Sequence, residues 1–154
     1  MVVLVGIPGS GKSFVANRFR ERGWVIVNQD ELGDRRKCEQ ATYGALQNGH
    51  RVVIDRTNID EHQRSHWLRI ARECRVPAAA TAALLLQVDV QTCKERVMSR
   101  PGHPTLKPSA SSLEIVDRFV GDFQSPTERE GFGRVVAVQQ GESLWSAPLV
   151  DIIG

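Results

Sequence analysis

The sequence predicts an α/β fold: three layers, α/β/α, around a central and mainly parallel sheet. Three observations predict it. Short apolar, β-branched runs recur along the chain. Helical segments of about ten residues or more separate them, as crossovers between parallel strands require. A glycine-rich turn joins the first run to the first helix. The length, 154 residues, fits one domain over 1–154. A chain of this size buries roughly 70% of the surface its unfolded form exposes.

The elements follow in order. Val2-Val3-Leu4-Val5 is apolar without alternation, the pattern of a strand covered on both faces. Residues 12–22 read as a helix, with Phe14, Val15, Arg18 and Phe19 at helical spacing and Gly23 as its stop. Trp24-Val25-Ile26-Val27 is a second strand. Residues 31–47 read as one helix carrying Leu32, Cys38, Ala41, Ala45 and Leu46 inward, ended by Asn48-Gly49. Arg51 to Asp55 is a third strand. Residues 60–75 are a helix capped by Asp60, with Trp67, Leu68, Ile70 and Ala71 inward. Residues 79–88 form a strand whose alanine-rich start weakens it, leaving Ala83 to Val88 as its core. Residues 90–100 are helical, and Pro101 to Pro108, with three prolines and a glycine, is a loop. Residues 111–123 are helical with Leu113, Ile115, Val116 and Phe119 inward, and Arg134 to Val138 is the last strand. After Gln140, the residues Leu144, Trp145, Leu149 and Val150 imply a segment that packs down.

Composition narrows the function classes. Twenty Lys and Arg against eighteen Asp and Glu give a net charge of +2, too small for a wholly basic nucleic-acid module. A polyanion site must be a local cluster. Cys38, Cys74 and Cys93 are odd in number, far apart and without metal spacing, which fits core filling in a reducing compartment. His50, His62, His66 and His103 show no zinc pattern. No apolar run approaches the roughly 20 residues of a membrane helix. The first strand begins at residue 2 without a basic leader, so no signal peptide is expected. These features imply an intracellular protein, cytoplasmic or nuclear, with no membrane contact. They give no indication of oligomeric state.

Gly6-Ile7-Pro8-Gly9-Ser10-Gly11-Lys12-Ser13 fits G-x-x-x-x-G-K-[ST] between a buried strand and a helix. The glycines let backbone N–H groups curl around phosphate oxygens, and the helix N-terminus adds donors and a positive dipole end. Lys12 supplies a point charge for the β- and γ-phosphates, and the Ser13 hydroxyl is a ligand for Mg²⁺. ATP, or another nucleoside triphosphate, and Mg²⁺ are the implied cofactors. Gly6, Pro8, Gly9, Ser10 and Gly11 complete the nucleotide-binding set. No N-K-x-D base reader of a GTPase is present, and the length fits a small phosphotransferase. Two carboxylates, Asp30 and Asp55, follow the second and third strands, where open parallel sheets place their ligands. A carboxylate there can orient Mg²⁺ or accept a proton from an attacking hydroxyl. Glu31 and Asp34 read instead as first-turn residues of a helix.

Asn28-Gln29-Asp30-Glu31-Leu32-Gly33, Cys38, Ile54-Asp55-Arg56-Thr57-Asn58, Arg64 and Trp67 together resemble the kinase domain of polynucleotide 5'-hydroxyl kinases. That family shows N-R-D-x-L-G, a spaced Cys, I-D-x-T-N and R-x-x-W or R-x-x-Y in this order. Phe123-Gln124-Ser125-Pro126-Thr127 with Glu130-Gly131-Phe132 is similar to the F-x-x-P-T…E-G-F tail of its metazoan-type kinase–phosphatase members. The resemblance implies Asp30 as general base toward the 5'-hydroxyl end of RNA or DNA. It implies Asp55, Thr57 and Asn58 near the acceptor and the metal. It implies Arg64 as a grip on the acceptor's phosphate or as the order of that loop. The arginine before the base is Gln29 here, so compensating charge is expected from Arg35-Arg36-Lys37, with Arg36 counted among the substrate contacts.

Arg96 and Arg100 lie four apart on one helix face, directly before the proline-rich loop. This matches the lid of small P-loop kinases, here about 96–108, whose arginines steady the transferring phosphoryl group while closure excludes water. The expected function is ATP-dependent transfer of the γ-phosphoryl group to a 5'-hydroxyl end of RNA or DNA. No D-x-D-G-T motif is present, so no 3'-phosphatase is expected. Two other readings stay open: a kinase of a sugar, nucleoside or nucleotide sugar, and a non-catalytic nucleotide-binding module. A stand-alone enzyme and one module of a longer protein are both compatible with the sequence.

Overall fold

All five strands of the sheet run parallel, in the order β2-β3-β1-β4-β5. The structure is a computed structural model and describes residues 1–99 and 108–141. The strands are β1 (Val2–Val5), β2 (Val25–Asn28), β3 (Val52–Asp55), β4 (Ala82–Gln87) and β5 (Arg134–Gln139). The helices are α1 (Lys12–Arg20), α2 (Gln29–Leu32), α3 (Arg35–Gln47), α4 (Glu61–Glu73), α5 (Val90–Ser99) and α6 (Ala110–Gly121). Short 3₁₀ turns occur at Ala78–Ala80 and Glu128–Glu130.

The three-layer arrangement follows from which faces are apolar. β1, β3 and most of β4 are buried without alternation because both faces are covered. On one face Val3, Val5, Ile54 and Leu85 pack against Cys38 of α3 and Trp67, Leu68, Ile70 and Ala71 of α4. On the other, Val2, Leu4, Val53 and Leu84 pack against Val15, Ala16 and Phe19 of α1. A third cluster, Ile7, Cys93, Val97 and Val116, joins α5 and α6 to the loop after β1. Burial of such side chains is worth roughly 1.5–3 kcal/mol each, so the central strand β1 anchors the loop that leaves it. The chain winds from β1 outward to β2 and later crosses from β3 to β4. This reversal puts a crevice beside β1 at the carboxyl ends of the strands.

Three details differ from the sequence expectations. The single helix expected over 31–47 is two. Asn28 caps α2 by accepting from Asp30 N (2.7 Å) and Glu31 N (3.4 Å), and Gly33 then takes φ +94° and ends it. Asp34 caps α3 by accepting from Lys37 N at 2.9 Å. Asp30 therefore sits in the first turn of a one-turn helix. Phe14 is 55% exposed, because Val15, Ala16 and Phe19 take the inner face of α1. The fourth strand starts at Ala82, since Pro77 and the alanines after it close a 3₁₀ turn. Arg100, most of the loop expected over Pro101 to Pro108, and the segment expected to pack down after Gln140 lie outside the described residues.

Candidate active site

The loop from Gly6 to Ser13 curls between β1 and α1, and its conformation explains its glycines. Gly9 and Gly11 have φ of +85° and +95°, in the region side chains avoid. A Cβ on Gly9 would also collide with the Cys93 carbonyl, because α5 backs directly onto the loop. Ser10 N donates to the Ile7 carbonyl at 3.2 Å, and Gly6 N to the Thr57 carbonyl at 3.1 Å, which ties the loop to the end of β3. Lys12 is buried and folds back, its Nζ donating to the Ile7 carbonyl (2.8 Å) and to Ser10 Oγ (3.3 Å). The N-terminus of α1 carries no side-chain cap, in contrast to α2, α3, α4 and α6. Uncapped N–H donors above a lysine suit an anion.

A cleft of about 470 Å³ opens beside this loop, and Gly9, Lys12, Ser13, Asp30, Asp55 and Thr57 are among the residues that line it. Asp30 is exposed to it. Asp55 is buried, and its carboxyl is held above the ordinary value, first by desolvation and in small part by the Asp30 charge. Hydrogen bonds from Ser13 and Asn28 and the charge of Lys12 work against that rise. Asn28 Nδ2 donates to Asp55 Oδ2 at 2.7 Å. Ser13 and Asp55 thus pair a hydroxyl with a buried, costly carboxylate at the head of α1, a hard-oxygen donor set that fits Mg²⁺ completed by phosphate and water. Among the described residues there is no cluster of three His, Cys, Asp or Glu side chains that could hold a metal by itself.

A second cleft of about 430 Å³ lies on the opposite flank of the loop, walled by Ser10, Phe14, Leu86, Val138 and Gln139. Arg96 borders both clefts, and its Nη1 donates to the Gly9 carbonyl at 3.3 Å. The phosphate loop therefore separates two spaces, one carboxylate-walled and one more apolar.

Of the residues singled out in the sequence, Pro8, Gly9, Gly11, Lys12, Ser13, Asp30, Asp55, Thr57 and Arg96 line the first cleft. Gly6 and Ser10 do not, although they shape the loop. Three others are placed elsewhere. Asn58 is fully buried with φ +48°; its Nδ2 donates to the Leu4 carbonyl (2.7 Å), and its Oδ1 accepts from Trp67 Nε1 (2.8 Å). It ties β1 to α4 and does not line the cleft. Arg64 is likewise fully buried, forked onto Glu130 by two 2.8 Å bonds and donating to the Asn58 and Gln124 carbonyls at 2.9 Å. Of its two expected roles, ordering the loop is the one its surroundings match. Arg36 stands on the exposed face of α3, and neither it, Arg35 nor Lys37 borders the cleft. Arg100 lies outside the described residues.

Among the cleft residues to which the sequence assigns no site role are Asn28, Arg56 and Gln63, beside the apolar Val97, Ile115 and Phe119. Asn28 had a signal, a cap-type residue at a strand end two before Asp30. Arg56 stands at the variable position of the Ile54-to-Asn58 motif, which assigns it no role. Gln63 had none, since its place depends on how α4 docks.

Comparison with known proteins places this geometry. A family described as AAA domain matches residues 35–126. "Transcription factor bHLH140" of Arabidopsis thaliana is 31% identical over 144 residues, covering 88% of this chain and 15% of that protein. "Bifunctional polynucleotide phosphatase/kinase" of Schizosaccharomyces pombe is 36% identical over 140 residues, covering 90% of this chain and 33% of that protein. The chain thus spans a third or less of the length of these relatives. A solved fungal RNA kinase superposes with a TM-score of 0.70 at 19% identity, covering 99% of this chain and 82% of that one. This last likeness establishes the P-loop kinase fold.

Proposed function

The chain belongs to the AAA domain family, and on that premise we propose that it is an ATP-dependent polynucleotide 5'-hydroxyl kinase. One observation carries the reading: the phosphate loop with Lys12, and the exposed carboxylate of Asp30, line one cleft. That is the placement that in-line transfer from a triphosphate to a hydroxyl needs. The similarity to a phosphatase/kinase over 90% of this chain supports the acceptor class.

In this reading the loop amides and Lys12 hold the β- and γ-phosphates, and the donor nucleoside lies in the second cleft beside Phe14 and Val138. Ser13 and Asp55 would hold Mg²⁺, which when bound neutralises charge on the phosphates. Asp30 orients the 5'-hydroxyl. Its oxygen attacks the γ-phosphorus, the bond to the β–γ bridging oxygen breaks, and the hydroxyl proton passes to Asp30. An alkanol is a weak acid, so that proton moves late in a loose transition state. Arg96, with Arg100, steadies the transferring group.

The test is labelled ATP with 5'-hydroxyl RNA and DNA oligonucleotides of several lengths, beside a panel of sugars, nucleosides and other small alcohols. We expect transfer to oligonucleotides. Transfer only to a small alcohol, or none at all, overturns the reading. Asp30→Asn should lower the rate at least about 10²-fold with ATP binding nearly intact; full activity in that variant removes Asp30 from the mechanism.

A further inference from the structure

The head of α3 gathers positive charge where its helix end is already positive. Arg35, Arg36 and Lys37 fill its first turn, which holds no acidic residue, so the helix dipole opposes all three. One carboxylate answers them. Glu39 Oε1 is buried and stands 3.1 Å from Arg35 Nε and 3.6 Å from His66 Nδ1 of α4, while its Oε2 stands 3.6 Å from Arg69 Nη2. Arg69 also pairs with Glu73, at 3.0 Å. His66 closes the cluster: Arg35 Nη1 lies 3.4 Å from His66 Nε2, and the His62 ring meets the His66 ring edge-on at 4.9 Å. Arg56, at the end of β3, acts on Arg35 and Glu39 from the sheet side.

This arrangement selects one protonation state. Arg35 can only donate, so His66 Nε2 must accept, and the ring's proton sits on Nδ1, toward Glu39. A second proton would go to Nε2 and set a cation 3.4 Å from the Arg35 guanidinium. Glu39 would then serve three cations, Arg35, Arg69 and His66. Burial first and Arg35 second hold His66 below its ordinary value of 6.5; His62 and Arg69 add to that, and Glu39 works against it.

The cluster governs the approach to Asp30. α2, which carries Asp30, is one turn long and fully buries none of its residues. Its Leu32 packs half-buried on the core, and its Glu31 meets Arg20 at 3.6 Å with both side chains more than half exposed, a pair worth little. The two ends of α2 therefore set its position. Asn28 fixes one by capping it. At the other, Gly33 and Asp34 lead directly into Arg35, whose bond to His66 ties the head of α3 to α4.

We propose that His66, in its neutral form, is a positioning residue for Asp30: it holds Arg35 at the head of α3, and its protonation loosens α2 and slows phosphoryl transfer. The inference rests on the kinase reading above and adds a proton as a regulator of that site.

The pH profile of kcat for an oligonucleotide acceptor, at saturating ATP and Mg²⁺, tests it over the range of about pH 5 to 8 in which histidine titrates. Wild type should lose rate on an acid limb set by His66. His66→Gln keeps an acceptor for Arg35 and has nothing to protonate. It should stay within about threefold of wild type above about pH 7 and exceed it at least about threefold near about pH 5.5. His62→Gln should keep the limb. A limb unchanged in His66→Gln, or lost in His62→Gln, overturns the proposal. Amide and ring NMR spectra of the nucleotide-free protein give a second reading that needs no activity. The amides of Asp30 and Gly33 should shift with the His66 ring, at a midpoint below 6.5, in wild type and not in His66→Gln. Amides that do not follow the ring, or a ring that titrates at 6.5 or above, overturn the proposal even where transfer is seen. If wild type phosphorylates no acceptor, the kinase reading fails, and this titration alone decides whether His66 governs α2.

Discussion

Asn28 and Asp55 face each other at the last register pair of β2 and β3, joined by a 2.7 Å bond from Asn28 Nδ2 to Asp55 Oδ2. The other end of the Asn28 amide caps α2, accepting from Asp30 N at 2.7 Å. One side chain thus fixes both cleft carboxylates, one by its charge and one by its helix. Asn28→Ala should cost about 1 kcal/mol from the lost cap alone. It should also lower the transfer rate about 10- to 100-fold while the KM for ATP stays within about threefold. Asn28→Asp keeps a cap acceptor but sets a second carboxylate beside Asp55, so it should regain stability at low pH more than activity. Chemical denaturation and kinetics on the same samples separate the two effects. A variant that loses stability without losing rate would confine Asn28 to capping.

The raised carboxyl of Asp55 makes a pH prediction with a definite sign. The unfolded chain loses this proton near the ordinary value of 3.8, whereas the folded protein keeps it to higher pH. Between the two values the native state binds more protons, so stability falls as pH rises through that window. Asp55→Asn removes this contribution. In metal-free buffer its melting temperature should gain on wild type as pH rises from about 4 toward neutrality. Parallel curves for the two proteins would mean that Asp55 titrates as in the unfolded chain.

Arg64 and Glu130 form an ion pair in which both side chains are nearly inaccessible, 0% and 5% exposed. Glu130 also accepts from Thr127 N at 2.9 Å, and Arg64 from its side reaches the Gln124 carbonyl, so the pair pins the segment from Phe123 to Phe132 onto α4. Removing one member leaves the other buried and unpaired, at a cost of roughly 3–5 kcal/mol. Glu130→Gln and Arg64→Lys should each shift the urea midpoint accordingly. Arg64→Lys, where folded, should bind acceptor oligonucleotides as wild type does. Weaker acceptor binding at unchanged stability would return Arg64 to the role of phosphate contact.

The motif residues divide along this line between site and scaffold. In the run from Ile54 to Asn58, Asp55, Arg56 and Thr57 face the cleft, while Asn58 turns inward with a positive φ to hold β1 and Trp67. Arg64, Trp67 and Glu130, which read as part of the same chemical signature, are buried supports. Spacing alone could not separate the two groups, because a side chain's role depends on what stands opposite it in space. For Arg64 that partner is 66 residues away.

By itself the sequence determined the alternation of strands and helices, the parallel sheet and the phosphate loop, because apolar periodicity, caps and glycines act through neighbours in the chain. It also marked Asp30 and Asp55, since strand ends are where such sheets bind. Only the tertiary structure decided which cations reach the cleft. The triplet Arg35-Arg36-Lys37 is exposed on α3, Arg64 is sealed against Glu130, and Arg56 alone of these is left facing open space on the indole of Trp67. The physical reason is that a charge is directed by packing and by its partners, which come together from β3, α4 and the segment before β5 only once the sheet has formed.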